Sequence, residues 1–200
     1  MGRAGKRAFD ILFSLCAIAF TLPFYPLIML FIWAEDGRPF FFSQRRESLG
    51  GREFWCLKFR SMWRDAEKMK AELLDKNQVD GPQFFIEKDP RLTRVGRFLR
   101  KMKIDELPQF FNVLKGDMSL VGPRPLPMRD YQGFNEDWQR RRFSVRPGIT
   151  CLWQVQGRSS IAFEQWMELD IQYLDEWSLW LDLKILARTI PAVVKGSGAA

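Results

Sequence analysis

Residues 11–34, ILFSLCAIAFTLPFYPLIMLFIWA, contain no charged side chain, and Pro23 and Pro26 interrupt the run near its middle. About 20 apolar residues suffice to cross a bilayer as a helix, so length alone predicts a membrane segment. The prolines argue against a plain span, because each lacks an N–H and its ring clashes with the preceding turn. Each arm, residues 11–21 and 24–34, rises only ~16 Å at ~1.5 Å per residue, about half of a ~30 Å hydrocarbon core. Both flanks are basic, with Arg3, Lys6 and Arg7 before the run and Arg38, Arg45, Arg46 and Arg52 after it. Positive charge favours the cytoplasmic side, so nothing places the two ends on opposite faces. A helix-break-helix that enters one leaflet and returns, broken at Pro23 and Pro26, satisfies both features. A kinked transmembrane helix and a buried soluble hairpin are the alternatives. A cleaved signal peptide fits poorly, since the run is long and lacks a small-residue cleavage site.

The 200-residue chain is long enough for one compact domain, and its 46% hydrophobic composition supplies a core. A net charge of +7 points to an anionic partner: nucleic acid, a phosphorylated small molecule or an anionic membrane. Cys16, Cys56 and Cys151 lie far apart, so neither a disulfide framework nor a zinc site is suggested. The absence of histidine excludes a Ser-His-Asp triad and every His-ligated metal site. Acid/base or covalent chemistry falls to Asp, Glu, Lys, Tyr or Cys.

Two strands joined at Gly50-Gly51 are predicted within residues 39–62, with Phe54, Cys56, Lys58 and Arg60 on one face. Residues 64–77 have the pattern of a charged surface helix with Met69, Leu73 and Leu74 as its apolar stripe. Arg91, Arg94, Arg97 and Arg100 recur every three residues, opposite Leu92, Val95, Phe98 and Leu99. Pro108 suits the first turn of a helix running to Gly116. Residues 116–127 and 145–158, rich in Gly and Pro, are expected as ordered loops. Two amphipathic helices follow, whose Trp166, Trp177 and Trp180 are placed either at a membrane interface or in the core.

Asp105 and Glu106 stand directly after a segment, Arg91 to Lys103, with six cations and no anion. The bland reading is a helix cap, favoured by free N–H groups and the macrodipole. The neighbouring cations give a second reading, because they keep a carboxylate ionised. Such a carboxylate holds a divalent cation or attacks phosphorus. Phosphoryl transfer also needs Arg, Lys and Mg²⁺ to neutralise charge on nonbridging oxygens. Lys58, Arg60, Arg124, Arg146 and Arg158 lie on strand faces or Gly/Pro-fixed loops, where a positioned clamp belongs. No Walker A or dinucleotide fingerprint is present.

Seven motifs in order, KRAFDI (6–11), the Pro-interrupted run, KFRSM (58–62), DPRLTRVGRFLRK (89–101), DELPQFFNVLKGDMSLVGPRP (105–125), RPGIT (146–150) and WQVQGR (153–158), resemble the bacterial sugar transferase family. These are monotopic polyprenyl-phosphate phosphoglycosyl transferases. The resemblance implies an α+β fold: a small, mostly helical catalytic domain with a short β-hairpin (residues 37–200). A re-entrant helix-hairpin (1–36) and amphipathic interfacial helices would anchor it. It implies transfer of sugar 1-phosphate from a UDP-sugar to undecaprenyl phosphate, with release of UMP. The product would start exopolysaccharide or other surface glycan synthesis on the cytoplasmic face of the bacterial inner membrane.

The route implied is a covalent phosphosugar intermediate on Asp105, with Mg²⁺ as cofactor, Asp105 as its ligand and Glu106 as partner. Lys58 and Arg124 would hold phosphates, with Arg60, Arg146 and Arg158 as further candidates. Asp170 and Tyr173 resemble a further motif near the active site. The 64–88 segment and the C-terminal tail look like members using glucose or galactose phosphates. Two positions depart from the family pattern. Leu22 precedes Pro23 where a Ser is usual, with Thr21 one place earlier, and Cys151 replaces a Gly. A Gly serving a positive φ there would leave Cys151 strained.

The chain begins nearly at KRAFDI, so the resemblance implies a minimal enzyme or the catalytic core of a larger one. Membrane lipid is an expected partner and nucleic acid is not, and a homodimer is compatible. The competing function is a basic membrane-associated protein that binds anionic lipid or nucleic acid without chemistry. Its binding would be salt-sensitive and indifferent to Asp105 and Glu106.

Overall fold

The computed structural model describes residues 2–79, 84–128, 134, 136–156 and 161–194. Helix α1 (Arg3–Thr21) passes through a 3₁₀ turn, Leu22–Phe24, into α2 (Tyr25–Asp36). The interruption at the prolines is thus a tightened helical turn rather than a loss of helix. Residues Arg3–Asp36 together are long and apolar enough to cross a membrane. The Thr21 hydroxyl donates to the Ala17 carbonyl at 2.7 Å, a back-bond that bends helices. The hydroxyl one place before Leu22 therefore still acts on the helix just ahead of Pro23.

Both ends of this segment dock on the same body. Near the start, Arg7 donates to the carbonyls of Val113 and Leu114, and Asp10 accepts from the Leu120 amide at 3.1 Å. Near the end, Glu35 accepts from the amides of Arg94 and Val95 at 2.6 and 2.9 Å, capping α4 (Arg94–Lys101) with a carboxylate. Asp36 pairs with Arg60. Between the docked ends Phe20, Leu22, Phe24, Leu27, Leu30 and Trp33 are exposed.

The predicted hairpin forms: β1 (Phe41–Glu47) pairs antiparallel with β2 (Glu53–Phe59) around Gly50 and Gly51, both at positive φ. Phe54 and Cys56 pack on Val113 of α5 (Gln109–Lys115), and the two-residue period carries Lys58 along that face. Phe59 points the other way, against Tyr25 of α2. Buried Asn112 locks helix to strand, accepting from the Leu57 amide at 3.0 Å and donating to the Trp55 carbonyl at 2.8 Å.

Elsewhere the structure differs from expectation. The charged segment forms only a short helix, α3 (Ala66–Ala71), and a 3₁₀ turn, Leu74–Lys76, with Leu73 buried and Leu74 exposed. The two Gly/Pro-rich loops contain β3 (Ser119–Val121) and β4 (Gly148–Thr150), paired in parallel, and the helix α6 (Leu152–Gln156). Three-residue strands carry too little alternation to be read in advance. Cys151 is buried after β4, and Lys103 is the sole non-glycine residue at positive φ among the described residues. The expected strain at Cys151 is therefore absent.

The two C-terminal helices appear as α7 (Phe163–Asp175) and α8 (Leu179–Val194). Trp166 is core, stacked on Trp153 at 4.2 Å between ring centres. Trp177 donates to Asp182, and Trp180 is exposed.

Candidate active site

Asp105 and Glu106 lie in a 3₁₀ turn, Ile104–Glu106, ahead of α5. Neither carboxylate caps that helix: its N-cap is Pro108, with no side-chain bond. Lys103 enters the turn in the left-handed conformation, φ 57°. The turn forms part of the wall of a cavity of about 610 Å³, which Lys58, Arg60, Lys103 and Arg124 also line. Trp153 and Trp166 lie on its apolar wall.

The two carboxylates have opposite surroundings. Glu106 Oε1 accepts from Lys58 Nζ at 2.6 Å and from Arg124 at 2.9 Å. Burial opposes its charge, but Arg124, Lys58 and Lys103 outweigh burial and hold the carboxyl well below the usual range. Asp105 Oδ1 is buried without a hydrogen-bond partner. Burial pushes the Asp105 carboxyl up, against the pull of Lys58, and the Glu106 charge adds to the rise. Environments that split a pair in this way assign different tasks to its members. Glu106 is consumed in holding two cations, while Asp105 keeps a poorly solvated, basic oxygen. Burial also lowers the Lys103 ammonium to about 8.

Lys58 and Arg124 are therefore brought to the dyad. Arg60 lines the same cavity but begins beyond the end of β2, and it donates to the carbonyls of Asp36 and Gly37. Its charge closes the end of α2, so it does not share a target with Lys58. Arg146 donates to the Gly116 carbonyl at 2.8 Å and does not line the cavity. Tyr173 donates to Asp182 at 2.8 Å, where Lys6 also binds Asp182 at 2.6 Å, tying α1 to α7 and α8. Arg158 lies outside the described residues. The regular arginine spacing does not make one solvated stripe: Arg94 and Arg97 are exposed, whereas Arg91 is buried on Asp89 and Arg100 donates to Ser61.

Asp170 acts at one remove. It pairs with Arg142 at 2.9 Å, both side chains buried, and Arg142 donates to the backbone carbonyl of Arg124. Burial pushes the Asp170 carboxyl up to about 6 against the attraction of Arg142. Sequence reasoning missed Arg142, because a triple of arginines, 140–142, gives no sign of which member turns inward. It also missed Asn112, whose amide sets the distance between β2 and α5. A lone Asn in an apolar helical stripe was the available signal.

Among the described residues no group of three or more acidic, Cys or His side chains is assembled to hold a metal. Mg²⁺ nevertheless binds through one or two carboxylates completed by substrate phosphates. The orphaned Asp105 oxygen on a cavity wall suits that form of site.

The bacterial sugar transferase family model matches residues 1–196. The galactosyl transferase CpsE of Streptococcus agalactiae is 52% identical over 82% of this chain and 37% of its own length. An undecaprenyl-phosphate galactose phosphotransferase of Salmonella typhimurium is 38% identical over 97% of this chain and 41% of its own length. The exopolysaccharide production protein ExoY of Sinorhizobium fredii is 36% identical over 100% of this chain and 89% of its own length. The chain thus spans about two-fifths of the first two relatives, at 37% and 41%. Motif order, a full-length family match and relatives along the whole sequence agree: the chain belongs to the bacterial sugar transferase family.

Proposed function

We propose that the protein transfers sugar 1-phosphate from a UDP-sugar to undecaprenyl phosphate, through a covalent intermediate on Asp105, to begin exopolysaccharide or a related surface glycan. The observation that carries this reading is the split dyad: a buried Asp105 oxygen without a partner beside a Glu106 held by Lys58 and Arg124. The cavity, about 610 Å³, is of a size common for small-molecule sites. The names of the relatives support the substrate classes, sugar nucleotide and undecaprenyl phosphate.

An Asp105 carboxylate oxygen attacks the phosphorus attached to the sugar. The bond from that phosphorus to the bridging oxygen breaks, and UMP leaves with the electron pair. A phosphate oxygen of undecaprenyl phosphate then attacks the same phosphorus and releases the Asp105 carboxylate. Lys58 and Arg124 retain donors beyond those given to Glu106, since an ammonium has three and a guanidinium five. They are placed to bind nonbridging oxygens and steady the charge that builds on them. Asp105 would hold Mg²⁺, which when bound supplies further neutralisation of the diphosphate. The Trp153–Trp166 stack offers a flat apolar wall for a base or sugar face.

Protein purified in nanodiscs with Mg²⁺ is expected to release UMP beyond one equivalent per enzyme from UDP-galactose or UDP-glucose only when polyprenyl phosphate is supplied. A first turnover of UMP should appear without it. Absence of UMP across a panel of UDP-sugars would sink the reading.

The anchor belongs to the same proposal. Docking of both ends of residues 3–36 on one body, with exposed apolar side chains between, supports a re-entrant segment at the cytoplasmic face. Cysteines introduced singly at Ala4 and Arg38, with the exposed Cys16 replaced, are expected to label from one side of sealed vesicles. Labelling from opposite sides would establish a span instead.

A further inference from the structure

A cation inside a partly closed cavity is costly unless something offsets its lost hydration. The cations lining this cavity can therefore be sorted by what they face. Lys58 and Arg124 are spent on Glu106, and Arg60 and Arg64 on Asp36. Arg91 is held by Asp89, Arg100 by Ser61, and Arg46 by the Pro125 carbonyl. Lys103 lines the same cavity, and among the described residues its side-chain ammonium makes no hydrogen bond or ion pair. It stands two residues before Asp105, on the turn that carries the dyad.

The backbone at Lys103 sharpens the contrast. A left-handed φ of 57° is disfavoured for a long side chain and suits Gly or Asn. Neither local backbone preference nor a protein partner accounts for a lysine here. A phosphate oxygen in the cavity does account for it.

We infer that Lys103 is a substrate-binding residue, whose ammonium is the uncommitted cation that receives phosphate oxygens beside Asp105. The assignment rests on the phosphoglycosyl reading for the identity of the phosphate, either the diphosphate of the donor or the monophosphate of the lipid. The ammonium would supply donors that Lys58 and Arg124 have partly given to Glu106, at the point where charge develops.

The test uses Lys103→Asn, which suits the left-handed backbone while removing the amine, with Lys103→Gly as a second variant and Lys103→Arg as rescue. Inorganic pyrophosphate is titrated into the full chain in nanodiscs, with and without Mg²⁺. The expected result is at least tenfold weaker binding in Lys103→Asn and Lys103→Gly, a melting temperature at or above that of wild type, and binding within threefold of wild type in Lys103→Arg. Equal pyrophosphate affinity in wild type and Lys103→Asn, or no binding by wild type, overturns the inference. In turnover assays, a raised KM for UDP-sugar alone assigns the ammonium to the donor diphosphate. A raised KM for polyprenyl phosphate alone assigns it to the lipid phosphate, and either supports the inference. If wild type binds pyrophosphate through Lys103 yet releases no UMP from any UDP-sugar, the transferase reading fails and the phosphate site stands.

Discussion

Asp105→Asn is expected to abolish both UMP release and the phosphosugar adduct, with a loss on the order of 10⁴-fold or more, as for removal of other covalent nucleophiles. The carboxamide has nearly the shape of the carboxylate but cannot attack phosphorus, so the fold should be retained. Relief of the burial cost on Asp105, whose oxygen has no partner, should even leave the variant slightly more stable. Intact mass spectrometry after incubation with UDP-sugar alone should show a phosphosugar increment on wild type and none on Asp105→Asn. Glu106→Gln should behave differently, because it loosens Lys58 and Arg124 but spares the attacking oxygen. A slow adduct is expected there. An adduct mapped to another residue, or turnover by Asp105→Asn near the wild-type rate, would remove Asp105 from its role.

Asp170→Ala should be the most destabilising single change outside the cavity. It would leave Arg142 buried without its counter-charge, in a site where Trp166 and Phe134 rings lie 5.9 and 6.0 Å from the guanidinium. Breaking a buried pair from one side costs about 3–5 kcal/mol, which for a chain of this size lowers the melting temperature by about 10 °C. Replacing both partners together, Arg142→Met with Asp170→Leu, should recover most of that stability, since no buried charge remains. It should not recover activity, because the donor to the Arg124 carbonyl is gone. Melting curves in nanodiscs at pH 7.5 separate these outcomes. A single Asp170→Ala variant as stable as wild type would show the pair to be incidental.

Local pattern made several parts of this molecule legible. The Gly50-Gly51 turn, the period-two face ending at Lys58, the helix between Pro108 and Gly116 and the two C-terminal helices all follow from short-range rules, and each is found. The β3–β4 pair was not legible, since two three-residue strands recognise each other across more than twenty residues with hardly any pattern of their own. The interruption in the apolar run was legible as a position, Pro23 and Pro26, but not as a 3₁₀ turn.

For the site, sequence by itself determined the chemical inventory: no histidine, an Asp-Glu pair, an excess of basic residues and Lys58 and Arg124 on restrained backbone. Only the tertiary structure decided how those charges are spent. Arg60 was drawn to Asp36 and Arg91 to Asp89, Arg146 to a helix C-terminal carbonyl, and Asp170 to Arg142 behind Arg124. The reason is physical. A charge is recognised in sequence by its sign, but its role depends on the partner within about 3 Å and on the water removed around it. Both are set by elements distant in the chain, which is why adjacent Asp105 and Glu106 differ so strongly in environment.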